Sequence, residues 1–310
     1  MPVVLISGGS GMIGRNLTRH LLARGYEVII LSRDKNRTSD HPKISYSYWD
    51  IHTPIIDIAI IKKADHIIHL AGAGVMDKKW TAGFQKKIQE SRTKSAELLI
   101  TTLRKNEHHV KSFISSSAIG WYGSDPEPLP RKEGFIETDL PAKDFLGETC
   151  LFWEASAETA KNLGIRLVKL RTGIVLSNDG GTIKEYKKLL HFGIAAIFGN
   201  GKQMVSWIHI DDISRMYCEA IENTYMHGVY NAVAPTPISQ KYLTITLAQK
   251  VRKAFYIPIY IPSLILKLFL GKRSIEILKS TTVCNKKIKG EGFTFLYPTI
   301  ESATNELAKH

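Results

Sequence analysis

Val3-Val4-Leu5-Ile6-Ser7-Gly8-Gly9-Ser10-Gly11-Met12-Ile13-Gly14 decides how the chain folds. The apolar run Val3 to Ile6 reads as a strand buried on both faces. Gly8, Gly11 and Gly14 follow at three-residue spacing. Ile13, Leu17, Leu21 and Leu22 then share one helical face until Gly25 stops the helix, and a second apolar strand, Glu27 to Leu31, ends at Ser32-Arg33. A strand, a glycine turn, a helix and a second strand make a dinucleotide-binding unit. The glycines let backbone N–H groups approach a pyrophosphate with no Cβ in the way, and the helix N-terminus faces the anion. Gly8, Ser10, Gly11, Met12, Ile13 and Gly14 are the candidate cofactor-binding residues of this turn.

The end of the second strand selects the cofactor. A carboxylate there binds the ribose 2′-hydroxyl of NAD and repels a 2′-phosphate. Here the place holds Ser32-Arg33, a hydroxyl and a guanidinium, which favours NADP(H). The ordinary alternative is an exposed loop arginine, with Asp34 beside it.

The 310 residues suit one large or two modest domains, and a composition 44% hydrophobic and 23% charged is that of an ordinary globular protein. The chain starts directly on a strand, so no signal peptide is expected. Its longest apolar tract, Phe255 to Leu270, is interrupted by Pro258, Pro262 and Lys267 and is too short for a membrane span. Cys150, Cys218 and Cys284 have neither metal-ligand nor redox spacing, which fits a reducing cytoplasm and no metal site. Of the formal charge of +13, a net +10 lies between Lys241 and Gly290, where Glu276 is the one acid. A solvated basic face is the plain reading, and attraction to nucleic acid, a membrane surface or a phosphorylated substrate is the alternative. Phe255, Tyr256 and Tyr260 sit among aliphatics and read as core, not as a base-stacking platform.

Along the chain, Ile44 to Trp49 is a third strand that delivers Asp50 toward an adenine, or simply starts a turn there. Ala64 to His69 is a fourth strand, with His69 read as a hydrogen-bonded core histidine. The Leu70-Ala71-Gly72 turn after it lets a flat cofactor lie on backbone. Trp80 to Leu103 is a long helix whose Ser91-Arg92 reach either the site or the surface. Lys111 to Ser117 is a fifth strand ending in Ser115, Ser116 and Ser117, hydroxyls at the crevice edge of the sheet. Residues 124–147, opening Ser124-Asp125-Pro126-Glu127-Pro128, have loop composition. A helix from Glu148 to Leu163 leads to a strand at Ile165 to Leu170. An apolar helix is expected over Ile183 to Phe198, then a helix after Ile208 with Asp as its N-cap, a short strand Tyr230 to Val233, and a mostly helical basic tail from Ser239. The fold class is α/β, a Rossmann-type doubly wound parallel sheet over 1–238 with a small, mostly helical cap over 239–310; residues 174–206 contribute to the substrate cleft.

These landmarks together resemble the extended short-chain dehydrogenase/reductase superfamily, in its atypical YfcH-type, nucleoside-diphosphate-sugar-epimerase-like branch. The matching pieces include ISGGSGMIGRNL, HLAGAG at His69 to Gly74, KKWTAGFQKKIQESR at Lys78 to Arg92, CLFWEASA at Cys150 to Ala157, LRTGIVLSNDGG at Leu170 to Gly181, SWIHIDD and the tail GFTFLYP. The resemblance implies an NADP(H)-binding domain with a cap over a substrate cleft. It also implies a serine that orients a carbonyl and a Tyr-x-x-x-Lys pair that exchanges a proton. None of the 12 tyrosines is followed four places later by lysine. The slot falls at Phe145 and Thr149 when counted from Arg171, or at Cys150 and Glu154 when counted on the helix. Ser117 (or Ser116) remains as the carbonyl-side hydroxyl, and Tyr122, Cys150 and Glu154 are the candidates for acid or base.

Two functions follow. One is an NADP(H)-dependent oxidoreductase or epimerase-like enzyme on a small polar substrate, phosphorylated or nucleotide-linked ones included. The other is a non-catalytic NADP(H)-sensing or scaffold protein whose basic cap binds an anionic partner. Sugar-nucleotide epimerisation proper needs tightly held NAD, against which Arg33 argues.

Overall fold

The computed structural model describes residues 1–126, 132–253 and 255–309; Glu127 and Pro128 of the acidic loop lie outside them. The chain runs β1 (Val3–Ser7), α1 (Met12–Ala23), β2 (Glu27–Ser32), β3 (Ile44–Asp50), β4 (Ile55–Ile56), α2 (Ile58–Lys63), β5 (His66–His69) and α3 (Ala82–Lys105). It continues with β6 (Ser112–Ala118), α4 (Phe145–Glu158), β7 (Arg166–Thr172), β8 (Ile174–Leu176), α5 (Gly181–His191), β9 (Ile194–Phe198), β10 (Met204–Val205) and β11 (Trp207–His209). The last part holds α6 (Ile210–Glu222), β12 (Gly228–Ala232), β13 (Ile238–Ser239), α7 (Gln240–Arg252), β14 (Ile257–Ile261), α8 (Ser263–Leu270), α9 (Ser274–Leu278), α10 (Lys286–Gly290) and α11 (Ile300–Leu307).

Eight strands form one sheet in the order β12-β7-β6-β5-β1-β2-β3-β4, parallel except for β4 on the edge. Strand order reverses between β1 and β5, so the crevice of a doubly wound sheet opens at their C-terminal ends. Alternate side chains of each strand serve the two faces. Val4 and Ile6 join Leu17, Leu21, Ile213 and Met216 in one cluster under α1 and α6. Leu5 joins Ile61, Leu99 and Leu103 in the other, under α2 and α3. Both faces are covered, which is why β1 reads as an unbroken apolar run.

The glycine turn is as tight as its sequence demands. Gly8 has φ +76°, and a Cβ there would lie 2.7 Å from the carbonyl carbon of Leu70. A Cβ on Gly14 would lie 2.5 Å from the Cα of Gly9, so this glycine lets α1 pack against the turn.

Several expectations are corrected. Ile183 to Phe198 is no single helix: α5 ends at His191, Gly193 takes φ +76°, and β9 pairs in parallel with β14. A glycine in the left-handed region just past a helix end turns the chain out of it. The tail is therefore less uniformly helical than its composition suggests. Tyr260 is 49% exposed, because β14 is paired on one edge only, and Phe255, just ahead of β14, is 80% exposed; Tyr256 alone of the three packs against a core cluster.

The N-cap of α6 is His209, whose Nδ1 accepts from the N–H of Asp211 at 3.3 Å. Asp211 and Asp212 sit in the first turn and are used elsewhere. Asp211 accepts from Asn16 of α1 (3.0 Å), and Asp212 accepts from the N–H groups of Leu296 and Tyr297 (2.7 and 3.0 Å). The two carboxylates thus tie α1 and the tail to α6. A third cluster joins Leu176, Ile183 and Trp207 to Leu243, Leu247, Ile300 and Leu307, so residues 174–206 and the tail share a core. Among the described residues no helix is long and apolar enough to cross a membrane, and no group of His, Cys, Asp or Glu gathers as a metal site.

Candidate active site

At the crevice, α1 begins after Gly11 with no side-chain cap and no acid in its first turn. Its free N–H groups and the positive end of its dipole are left for an anion. Ser10 and Gly11 are exposed, with Met12 and Ile13 partly so. The Ser7 hydroxyl, fully buried at the end of β1, has no hydrogen-bond partner among the described residues. An orphaned hydroxyl beside an uncapped helix on a glycine cradle fits a bound dinucleotide. Leu70-Ala71-Gly72 follows β5 and is locked to β1 by the Leu70 N–H donating to Ser7 O at 2.9 Å.

At the end of β2, the Ser32 hydroxyl accepts from the Asp34 N–H (3.0 Å), and the Asp34 carboxylate accepts from the Asn36 N–H (3.0 Å). The acid next to Arg33 is thus engaged in its own turn, and Arg33 is exposed. A cavity of ≈ 410 Å³ beside Gly9 and Ser10 is lined by Arg15, Arg19 and Arg37 against one carboxylate, Asp179. Asp50 closes the turn after β3: it accepts from the His52 N–H (2.8 Å) and Thr53 Oγ1 (2.7 Å), which hold its pKa below the usual carboxylate range. Ser115 and Ser116 are buried in β6 and donate back to carbonyls of their own strand, at 3.0 and 3.4 Å.

Three of the four candidate catalytic residues meet in one buried network. Ser117 Oγ donates to Glu154 Oε1 (2.7 Å), and Arg171 grips the same carboxylate with Nε and Nη2 (2.7 and 3.1 Å). Lys169 lies 3.4 Å from Glu154 Oε2 and also pairs with Glu158. Arg171 Nη1 donates to the Tyr122 hydroxyl (3.0 Å), which donates to Asn231 Oδ1 (2.6 Å), and the guanidinium lies 3.7 Å from the Trp121 ring centroid. Burial opposes the Arg171 charge, but the hydrogen bonds and charge of Glu154 outweigh it and raise its pKa. Tyr122 is pushed up to about 12 by burial. A tyrosine so held offers no base at neutral pH.

Cys150 stands apart, on the wall of a ≈ 280 Å³ cavity between the sheet ends and the cap. The α4 face turned to this cavity is Leu146, Thr149, Cys150 and Trp153, so the i, i+4 pairs that face it are Leu146 with Cys150 and Thr149 with Trp153. Leu146 cannot titrate, and burial together with the Glu154 charge pushes the Cys150 thiol up to about 12. Ser117, Tyr122 and Glu154 are not among the residues lining this cavity, and Ala118 and Gly120 are. Ile174, Met204 and Val205 close one side. Glu276 and Lys279 from the cap close another, and Arg273 Nη1 ties the cap down by donating to Met76 O at 2.8 Å. Lys279 lies 3.2 Å from Glu276 and 3.5 Å from Asp144. Burial raises the Glu276 pKa against the pull of Lys279.

Leu146 and Met76 carry no sequence signal as site residues. Glu276 could have been singled out as the lone acid of the basic segment. Arg92, left open between site and surface, is 9% exposed and lines the cavity.

The family model for the NAD dependent epimerase/dehydratase family matches residues 4–232, and that of a domain of unknown function, DUF1731, matches residues 261–307. Epimerase family protein SSP1921 of Staphylococcus saprophyticus is 34% identical over 312 residues, 99% of each chain. Epimerase family protein SERP0438 of Staphylococcus epidermidis is 33% identical over 314 residues, 100% of each. Among solved structures, human epimerase family protein SDR39U1 (isoform 2) with NADPH superposes at TM-score 0.84 and 26% identity, with 99% of each chain covered. The nucleoside-diphosphate sugar epimerase from Corynebacterium glutamicum superposes at TM-score 0.77 and 29% identity, over all of this chain and 59% of that one. The glycine cradle, the doubly wound sheet, the cap and these likenesses agree: the chain belongs to the NAD dependent epimerase/dehydratase family, in the branch that carries the DUF1731 tail.

Proposed function

We propose that the chain is an NADP(H)-dependent oxidoreductase or epimerase-like enzyme for a small polar substrate, working without a Tyr-x-x-x-Lys pair. The observation that carries this reading is the uncapped start of α1 beneath Gly8 and Gly14, with Ser32 and Arg33 at the end of β2 and Asp34 bonded into its own turn. The arginines around the neighbouring cavity, and the human relative's structure with NADPH, support the phosphorylated cofactor. Gly8 to Gly14 hold the pyrophosphate, Ser32 and Arg33 the 2′-phosphate, and Leu70 to Gly72 the nicotinamide side. A nicotinamide, when bound, supplies or accepts hydride at its C4 carbon. Glu276, the one carboxylic acid among the residues lining the 280 Å³ cavity, holds and moves the proton at its carboxyl oxygen.

NADPH will bind more tightly than NADH in a fluorescence titration. Arg33→Ala will weaken NADPH by about 10- to 100-fold, the worth of one or two charge-assisted hydrogen bonds, while NADH changes by less than about threefold. Equal affinities for the two cofactors in the unmodified protein would remove the NADP(H) assignment.

Against a panel of carbonyl compounds and nucleotide sugars, at least one member will oxidise NADPH. Glu276→Gln will slow that turnover about 100-fold or more with NADPH affinity unchanged. Tight NADPH binding with no turnover on any member would leave the second reading, a non-catalytic NADP(H) sensor or scaffold. One observation favours it: the cavity face of α4 bears no group that titrates near neutral pH. Its basic cap would then bind RNA or DNA with an affinity that falls steeply with salt.

A further inference from the structure

Arg92 is a buried cation with no counter-ion among the described residues. It rises from α3 with its Nη1 donating to Ile88 O at 2.8 Å and to Ala73 O at 3.1 Å. Nη2 and Nε have no partner among the described residues, and no carboxylate pairs with the guanidinium. The group lies 4.9 Å from the Trp153 ring centroid and so close to Gly72 that a Cβ there would come within 3.0 Å of its Cζ. Two carbonyls and a ring face fix its position while leaving donors over. Burying an arginine this way is costly unless something completes it.

Of the other charged residues lining the 280 Å³ cavity, Lys279 pairs with Glu276 at 3.2 Å, so on its wall Arg92 is the charge left unmatched among the described residues. The rest of the wall is mainly apolar: Met76, Ile119, Leu146, Trp153, Ile174 and Ile277. One spare positive charge in an apolar cavity calls for one negative charge. A phosphate dianion would leave an uncompensated charge buried there. A cavity of this volume is at the bottom of the size range for small-molecule sites, too small for a nucleotide-linked sugar.

We propose that Arg92 is the anion anchor of this cavity and that the substrate is a small monocarboxylate carrying a carbonyl or hydroxyl group. The two free donors of the planar guanidinium grip the carboxylate, and the apolar wall takes the remainder of the molecule. This rests on reading the cavity as the substrate site of the proposed NADP(H) enzyme.

The test is a calorimetric titration of the full chain, with and without NADP⁺, using pyruvate, phenylpyruvate and benzoate against their methyl esters. At least one carboxylate will bind about tenfold or more tightly than its ester. Arg92→Met will abolish that preference, and Arg92→Lys will keep part of it. Cys150→Asp, which leaves Arg92 in place but supplies a carboxylate on the same wall, will also lose carboxylate binding. Far-UV circular dichroism and melting of each variant show that it is folded, and NADPH affinity will stay within about threefold of the unmodified protein.

The proposal is overturned if esters bind as well as acids, or if Arg92→Met still binds the carboxylate. It is also overturned if Arg92→Met loses NADPH instead, or if NADPH binds and no carboxylate does. Failure of NADPH to bind the unmodified protein would overturn the cofactor reading, while the titration without NADP⁺ would still decide on Arg92.

Discussion

Replacing Arg171 by methionine will destabilise the fold by about 3–5 kcal/mol, the usual result of stranding a buried charge by removing its partner. Its partner Glu154 is 4% exposed, and Arg171 itself is 2% exposed. Methionine leaves the carboxylate with Lys169 at 3.4 Å and the Ser117 hydroxyl, and frees the Glu137 carbonyl and the Tyr122 hydroxyl of a donor. The double variant Glu154→Leu with Arg171→Met removes both charges together and will recover at least half of the loss, since a buried pair replaced by apolar groups of like size is often close to neutral. Urea unfolding followed by tryptophan fluorescence gives both values. A single-variant loss below about 1 kcal/mol would mean that the network does not brace β6, α4 and β7.

The second large effect is on acid stability. His69 is fully buried between β5, α3 and α4. Trp153 Nε1 donates to its Nδ1 at 3.3 Å, so the ring carries its hydrogen on Nε2, which donates to Ser95 Oγ at 2.6 Å. A second proton on Nδ1 would face the indole N–H. Burial, and then the charge of Arg92, bring its pKa down to about 3. The unfolded chain takes up that proton near pH 6.5 and the folded chain does not, so stability is complete above pH 6.5 and falls as pH drops toward 3. By pH 5 this one residue costs about 2 kcal/mol. His66, brought down to about 4 mainly by burial, adds a cost of the same sign. His69→Asn keeps a group able to bond Ser95 and removes the titration, so its stability between pH 7 and 5 will fall less steeply, by about one proton's worth. An unchanged slope in the variant would show that His69 takes up its proton in the folded state as readily as in the unfolded one.

Much of the fold was legible because its signals are local. The apolar run before Gly8, the helix stopped at Gly25 and the strands ending at Ser32, Asp50 and Ser117 each declare themselves within a few residues, and β1, α1, β2 and β3 match them within a residue or two. The failures have causes far away in the sequence. Apolar residues recur from Ile183 to Phe198, and only pairing with β14, some sixty residues later, decides that the end of the stretch is a strand. Asp211 resembles an N-cap until Asn16 and His20 of α1 claim its carboxylate.

The backbone of the glycine turn was legible in the sequence and the chemistry of the cavity was not, for one physical reason. A glycine cradle is a demand on the backbone, and backbone conformation is written in the residues that adopt it. A proton donor or an anion anchor is instead a side chain's charge set against its surroundings. Sequence alone determined the sheet, the open start of α1 and the Ser32-Arg33 pair that favours a phosphorylated cofactor. Only the tertiary structure decided that Glu154 commits its carboxylate to Arg171, that burial raises the pKa of Tyr122 and Cys150 to about 12, and that Glu276 and Arg92 come to one cavity from positions far apart in the sequence. Those outcomes turn on desolvation and on partners distant in sequence, which no local pattern records.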